Sequence, residues 1–383
     1  MTTTCDVLII GGGMAGASCG YFLAGDAEVV LLEREEQPGY HTTGRSAALF
    51  YESYGNATIR KITKATRSFL ETPPDGFATG PILSPRGMLT VATEELVGRL
   101  DAHAGQEGGP RTEAVEGDAL FELAPFLRRD RIVRGIYETD AMDIDVNALL
   151  QGFLRGLRAK GGRTVTDAEV QSLARAGAVW RLETRAGTFE APVVINAAGA
   201  WCDAIAGMAG VPPVGLVPKR RTAFTFDPPA GADVARWPGV DLVDESWYVI
   251  PNAGRVLGSP ADETPSEPCD AQPDEYDVAV AVDRIMTDTT FDIRRLASRW
   301  AGLRSFVADK SPVVGFDPST EGFLWLAGQG GYGIQTSAGM GRLSASLARG
   351  GGIPADMAAL GLTAMDLAPD RPALAGARRA TPA

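Results

Sequence analysis

The chain has 383 residues, 45% of them hydrophobic and 22% charged, with a formal net charge of −12. That length exceeds one compact core and suits two domains of ordinary size, and the composition is that of a globular protein rather than a disordered one. The negative balance excludes nucleic acid and anionic membrane as main partners, because both select basic clusters that displace counterions, and points to a small ligand.

The first predicted element is a buried strand over Cys5-Asp6-Val7-Leu8-Ile9-Ile10 that runs directly into Gly11-Gly12-Gly13-Met14-Ala15-Gly16. Gly11 gives the tight turn, Gly13 lets backbone approach a pyrophosphate, and Gly16 lets a helix over 15–23 pack closely on the strand. The phosphate then sits on the helix N-terminus formed by Met14 and Ala15. A second strand over 28–32 ends in Glu33, about 20 residues past the glycines, where a carboxylate accepts both hydroxyls of an adenosine ribose and disfavours a 2′-phosphate. A strand starting at Cys5 leaves no room for a secretory leader, and no apolar run approaches the ~20 residues of a membrane span, so a cytoplasmic protein is expected.

Residues 37–48 are small and polar and suit a long ligand running from adenosine to an isoalloxazine ring. Asp145 is the predicted N-cap of a helix from Val146 through Leu157, stopped by Gly161-Gly162. Strands over 164–165, 180–184 and 193–196 then return the chain to the nucleotide fold, and Ala197-Ala198-Gly199 faces something that requires bare backbone. Between these parts, half-alternating runs at 88–91, 221–226 and 247–250 predict one antiparallel sheet assembled from two insertions, with the substrate pocket at the domain boundary. A strand over 323–327, the loop Gly328-Gln329-Gly330-Gly331-Tyr332-Gly333 and a helix from Ile334 to about Ala348 predict a second site for a negative group. The expected division is therefore 1–76, 143–213 and 301–366 for the cofactor domain, 77–142 and 214–300 for the substrate domain, and a loose tail over 367–383.

Four cysteines, Cys5, Cys19, Cys202 and Cys269, lack CxxC spacing and read as reduced thiols, the first two packed in the first βα unit. The only two histidines are His41 and His103, the latter expected to be exposed. A multi-histidine metal site is excluded, no metal is expected, and no G-x-S-x-G elbow offers a nucleophile.

Five long blocks carry a resemblance: Tyr40 to Ala48, Asn196 to Gly207, Pro218 to Arg221, Trp300 to Phe306, and Gln329 to Ala338. In order and content they resemble the D-amino acid oxidase-like (DAO) FAD-dependent oxidoreductases, the group that includes glycine oxidase and sarcosine oxidase. Within that family the chain is similar to D-arginine dehydrogenase. The resemblance implies an α/β fold with a Rossmann-type, glutathione-reductase-like FAD domain and a second antiparallel-sheet domain. It implies non-covalent FAD, although His41 stands where some distant amine dehydrogenases attach the flavin. It places the cofactor on Gly11, Gly13, Met14, Ala15, Gly16, Glu33, Arg34, Thr42, Thr43, Gly44, Arg45, Ser46, Ala47, Ala48, Val170, Ala198, Gly199, Trp201 and Gly302. Gly330, Gly331, Tyr332, Gly333, Ile334, Gln335 and Thr336 complete that set.

The resemblance further puts the substrate carboxylate on Arg221, Arg304, Tyr54 and Tyr248, with Gln335 and the Gly331 carbonyl at the amine. Guanidinium forks match carboxylates bidentately, and a tyrosine hydroxyl adds a neutral donor. An arginine-preferring relative carries a histidine at the position of Leu49 and a glutamate at or beside Met88. Their replacement here predicts an uncharged or apolar substrate side chain, since a buried cation then lacks its partner. The expected reaction is hydride transfer from Cα to flavin N5, giving an imino acid that hydrolyses to a 2-oxo acid and ammonia. Oxidation of a 2-hydroxy acid, oxidation of a secondary amine such as an N-methyl amino acid, and a non-catalytic flavin-binding subunit stand as alternatives. Oxygen, a quinone and a carrier protein all remain as electron acceptors.

Overall fold

The computed structural model describes residues 2–104 and 112–379. The strand of the N-terminal glycine motif, Val7–Ile10, lies inside a six-stranded sheet. Arg163–Val165, Val29–Leu32, Val7–Ile10, Val193–Asn196 and Phe323–Ala327 run parallel in that spatial order, and Val313–Phe316 closes one edge antiparallel. Side chains of successive residues leave opposite faces of a strand. Val7 and Ile9 pack into a core shared with the helices Met14–Leu23, Val146–Ala159 and Ser337–Ala348, while Leu8 and Ile10 pack into a second core with Trp180, Leu182 and Phe189. Both faces are covered, which is why these strands read as unbroken apolar runs. Asp145 caps its helix as expected, accepting from Ala148 N at 2.8 Å, and Cys5 and Cys19 are buried in the first βα unit.

The strand predicted over 180–184 does not join this sheet. Val179–Thr184 pairs with Val170–Ala176 and Gly187–Ala191, and Thr2–Thr4 adds a fourth strand to that separate sheet. The connections are tight turns at Gly177 and Gly187, both at positive φ, so these strands pair with their immediate neighbours instead of crossing over.

The second large sheet does combine both insertions. Its order is Thr264–Pro265, Val217–Phe226, Arg255–Ser259, Tyr248–Asn252, Gly239–Leu242, Met88–Thr93, Ile132–Glu138 and Thr112–Glu116, and Ser298–Phe306 also pairs with Val217–Phe226. It is not wholly antiparallel: Gly239–Leu242 and Met88–Thr93, where the two insertions meet, run parallel. The expected boundary at 300/301 falls inside Ser298–Phe306.

The expectation of a loose tail is corrected over its described part, residues 380–383 lying outside the described residues. Arg371, 4% exposed, grips both carboxylate oxygens of Asp309 at 2.7 and 2.8 Å and donates to the carbonyls of Ser311, Pro312 and Ala368. Leu374 is buried, and Arg378 pairs with Asp317. Composition suggested a loose segment, but one arginine fork matched to a carboxylate is enough to dock it. Among the described residues no helix is long and apolar enough to cross a membrane, and no cluster of His, Cys, Asp and Glu is placed to hold a metal.

Candidate active site

A cavity of about 650 Å³ opens at the carboxyl ends of the parallel strands and runs on to the face of the second large sheet. Its nucleotide end is shaped by glycines that no other residue can replace. Gly11 has φ +109°, and a Cβ there would lie 2.4 Å from Ala197 O; a Cβ on Gly16 would lie 2.0 Å from Gly11 O. The Glu33 carboxylate accepts from Gly12 N at 2.8 Å and Glu35 N at 2.9 Å, which aims it at the crevice. Burial pushes its pKa up, and these two N–H groups oppose that shift.

The 37–48 segment is tied on both sides. Met14 N donates to Thr43 Oγ1 at 3.0 Å, Thr42 Oγ1 donates to Leu303 O at 2.8 Å, and Trp300 Nε1 donates to Arg45 O at 3.0 Å. The Arg45 guanidinium is held by the carbonyls of Ala271 and Ala301 and pairs with Asp270. His41 Nε2 lies 2.8 Å from Glu35 Oε1, and its ring stands 4.8 Å from the Trp201 ring, over which Arg34 sits at 5.0 Å. Four buried polar atoms of lining residues, His41 Nδ1, Gln329 Nε2, Gln335 Oε1 and Asp241 Oδ1, have no partner among the described residues. A long crevice with a ribose-binding acid, a bare-backbone phosphate turn and unsatisfied donors and acceptors toward its far end fits FAD.

At the far end Arg304 Nη1 donates to Tyr54 Oη at 3.0 Å. Tyr54 stacks on Tyr51 with ring centroids 4.9 Å apart and meets Tyr332 edge-on at 4.7 Å. Burial opposes the charge on Arg304, but the oxygens of Tyr54, Tyr248 and Tyr51 around it outweigh that effect and keep its pKa above the ordinary arginine range. Arg221, 9% exposed, is oriented by Asp262 O at 2.9 Å and Glu263 at 3.6 Å, and Tyr248 lines the same space. Gln335 is fixed by its Nε2 bond to Thr63 Oγ1 at 2.9 Å, which leaves Oε1 free for a donor. Leu49 and Met88 form an apolar wall with Ala141, Tyr51 and Ile250.

Nearly all the sequence-derived residues line this one cavity; Gly16, Gly44 and Thr336 do not. Gly16 and Gly44 serve close backbone packing, Gly44 N bonding Gly39 O at 2.7 Å. Thr336 folds back, Oγ1 donating to Tyr332 O at 2.8 Å, because a turn over Gln329 to Ser337 precedes the last long helix. That helix opens at Ser337 rather than Ile334. His103 is not exposed: it is half-buried at the cavity wall, and burial pushes its pKa below the usual histidine value.

Sequence reasoning missed Tyr51, Thr90, Asp241 and Ile250, all of which line the substrate end. The signal available for Asp241 was an acid set between apolar neighbours in Val240-Asp241-Leu242. Burial pushes its carboxyl up to about 7, and its Oδ1 has no partner among the described residues.

The chain is similar to known proteins over most of its length. A family model described as FAD dependent oxidoreductase matches residues 6–347. Glycine oxidase of Bacillus licheniformis is 23% identical over 366 residues, covering 90% of this chain and 93% of that protein. D-amino acid dehydrogenase of Cereibacter sphaeroides is 30% identical over 283 residues, covering 69% of this chain and 60% of that one. The match to mitochondrial dimethylglycine dehydrogenase of Rattus norvegicus, 29% identical, spans 54% of this chain but only 25% of that enzyme. In fold, the crystal structure of glycine oxidase from Geobacillus kaustophilus is similar with a TM-score of 0.81 at 22% identity, over 91% of this chain and 96% of that one. The chain therefore belongs to the FAD-dependent oxidoreductase family of the D-amino acid oxidase type, with FAD as its cofactor.

Proposed function

We propose that this protein oxidises a D-amino acid at Cα, with FAD held non-covalently between Glu33 and the 328–335 loop. The observation that carries the reading is the Arg304–Tyr54 pair at the end of the flavin crevice, with Arg221 and Tyr248 beside it. Two guanidinium groups and two hydroxyls suit one carboxylate. Gln335 Oε1 is the acceptor for the substrate amine, which must lose its proton before the Cα–H bond breaks. Bound FAD supplies the oxidant that takes the hydride from Cα. The imino acid released is hydrolysed by water to a 2-oxo acid and ammonia. The protein's own part is to hold Cα in one orientation and to keep water from the site, and both act through the rigid clamp. Leu49, Met88 and Ile250 give the substrate side chain an uncharged, apolar surface to lie along. His41, engaged by Glu35, supports the non-covalent reading.

The test is anaerobic bleaching of the flavin absorbance against D-amino, L-amino, N-methyl amino and 2-hydroxy acids, with the flavin then recovered intact on acid precipitation. Primary D-amino acids are expected to bleach it fastest. Arg304→Met should lower kcat/KM on all of them by a similar factor, roughly 2–5 kcal/mol in transition-state binding. Bleaching by N-methyl or 2-hydroxy acids alone would overturn the reading.

A further inference from the structure

The wall beneath the substrate is built from three adjacent strands whose alternate residues face the cavity. Met88 and Thr90 line it while Leu89 and Val91 enter the core below; Tyr248 and Ile250 line it while Val249 is in the core. Between them, Val240 and Leu242 are in that core and Asp241 faces the cavity. Asp241 is the register partner of Thr90 on one side and Tyr248 on the other, one step along from Gly239 beside Met88. A Cβ on Gly239 would lie 2.9 Å from Met88 Sδ and 3.0 Å from Leu49 Cδ1. The apolar patch thus converges over a bare glycine, and the next rung carries a carboxylate.

Nothing among the described residues neutralises that carboxylate. It forms no ion pair, Oδ1 is orphaned, and the groups around it are the Thr90 hydroxyl, Tyr248, Tyr51 and two further acids, Asp244 and Glu245. Burial is the main reason its pKa stands at about 7, with Glu245 and Asp244 adding to the rise and Thr90 opposing it. Asp241 as a whole is half-buried where it faces the cavity, but its Oδ1 is out of solvent, and a carboxylate oxygen left unpaired there is unfavourable unless a cation or donor meets it. On the proposed function the substrate α-amine already has its acceptor in Gln335 Oε1, a different orphaned atom of the same cavity.

Resting on the amino acid reading above, the geometry points to Asp241 as a specificity-determining residue that holds a second, protonated nitrogen on the substrate side chain. The side-chain methylenes lie along Leu49, Met88 and Ile250, and an ammonium or guanidinium reaches Asp241. The same acids, Asp241, Asp244 and Glu245, repel a side-chain carboxylate. The order of preference is therefore cationic, then neutral, then anionic, which reverses the apolar preference expected from Leu49 and Met88 alone.

The holoenzyme is assayed with D-ornithine, D-lysine, D-norleucine and D-glutamate. The cationic pair should lead, and their advantage over D-norleucine should grow as pH rises through about 7, where Asp241 ionises. Asp241→Asn should lower kcat/KM for the cationic pair by roughly tenfold or more while moving D-norleucine by less than about threefold. Retained flavin absorbance and D-norleucine turnover show that the variant is folded; Asp241→Leu, which should favour D-norleucine, is the second variant. Faster turnover of D-norleucine than of D-ornithine by the unmodified enzyme, or an equal loss on all substrates in Asp241→Asn, overturns the assignment. Failure of every amino acid to bleach the flavin overturns the underlying reading instead.

Discussion

At Gly331 the missing side chain is what lets two others meet. A Cβ there would stand 2.8 Å from Arg304 Nη1 and 3.1 Å from Tyr54 Oη, the two atoms of the clamp. Gly331→Ala should therefore displace the guanidinium by a few tenths of an ångström and lower kcat/KM roughly 10- to 100-fold on every substrate, with FAD content unchanged. The flavin-to-protein absorbance ratio and steady-state kinetics read this directly, and a variant with native kcat/KM would remove the clamp geometry from the mechanism. Arg221, Arg304, Tyr54 and Tyr248 were legible because long sequence blocks or a family pattern surround them. Asp241 was not, because its burial depends on a strand about 150 residues earlier in the chain, and no local period reports a parallel register of that kind.

Among the elements, the strand Ile132–Glu138 ends in a buried acid with a mechanical task. Glu138, 3% exposed, accepts from Glu52 N at 2.9 Å and so holds the turn that leads into Tyr54. Burial pushes its carboxyl up to about 7 from an ordinary value of 4.5, against the hydrogen bonds from Ser53 and Glu52. A raised carboxylate pKa means that the folded state disfavours the ion: the contribution of Glu138 to stability is most favourable below the ordinary value and is lost as pH climbs from there through about 7. Glu138→Gln keeps an acceptor for Glu52 N and removes that penalty. Its Tm relative to the native protein should thus rise between pH 5 and pH 8, by an amount worth on the order of 2–3 kcal/mol. A difference in Tm that stays constant across this range would show that Glu138 is not the titrating group. The parallel strands and their helices were readable from apolar runs and glycines, whereas the start of the last long helix was misplaced by three residues. The reason is local: Thr336 N and Ser337 N satisfy Tyr332 O and Ile334 O in a turn that resembles helix in composition.

For the molecule as a whole, the C-terminal segment acts as a brace. Arg371 joins it to Asp309, whose carboxyl is pushed upward by burial, an effect that the guanidinium and the Ser311 N–H outweigh, leaving its pKa below the usual range. Asp309 and Lys310 also line the cavity, and Asn56 beside Tyr54 donates to Ser311 Oγ at 3.0 Å. Arg371→Met should therefore destabilise the protein by roughly 2–4 kcal/mol, since it strands a partly buried carboxylate and several carbonyls. Urea denaturation checks this, and native stability in the variant would return the segment to the loose tail that its composition suggested. Composition reports what a segment can do alone; the docking of this one depends on a carboxylate far away in sequence.

The crevice has one more consequence, and it concerns time. Its walls come from residues near 11, 43, 170, 200, 304 and 335, and the straps that close it join Thr42 to Leu303 and Arg45 to Ala301. During synthesis the early glycine turn leaves the ribosome on the order of tens of seconds before the last loop that completes the site. For that interval the nascent chain displays half a nucleotide site and an unfilled apolar wall, so tight capture of FAD is a late event, coupled to the final closure of the fold rather than to its nucleation.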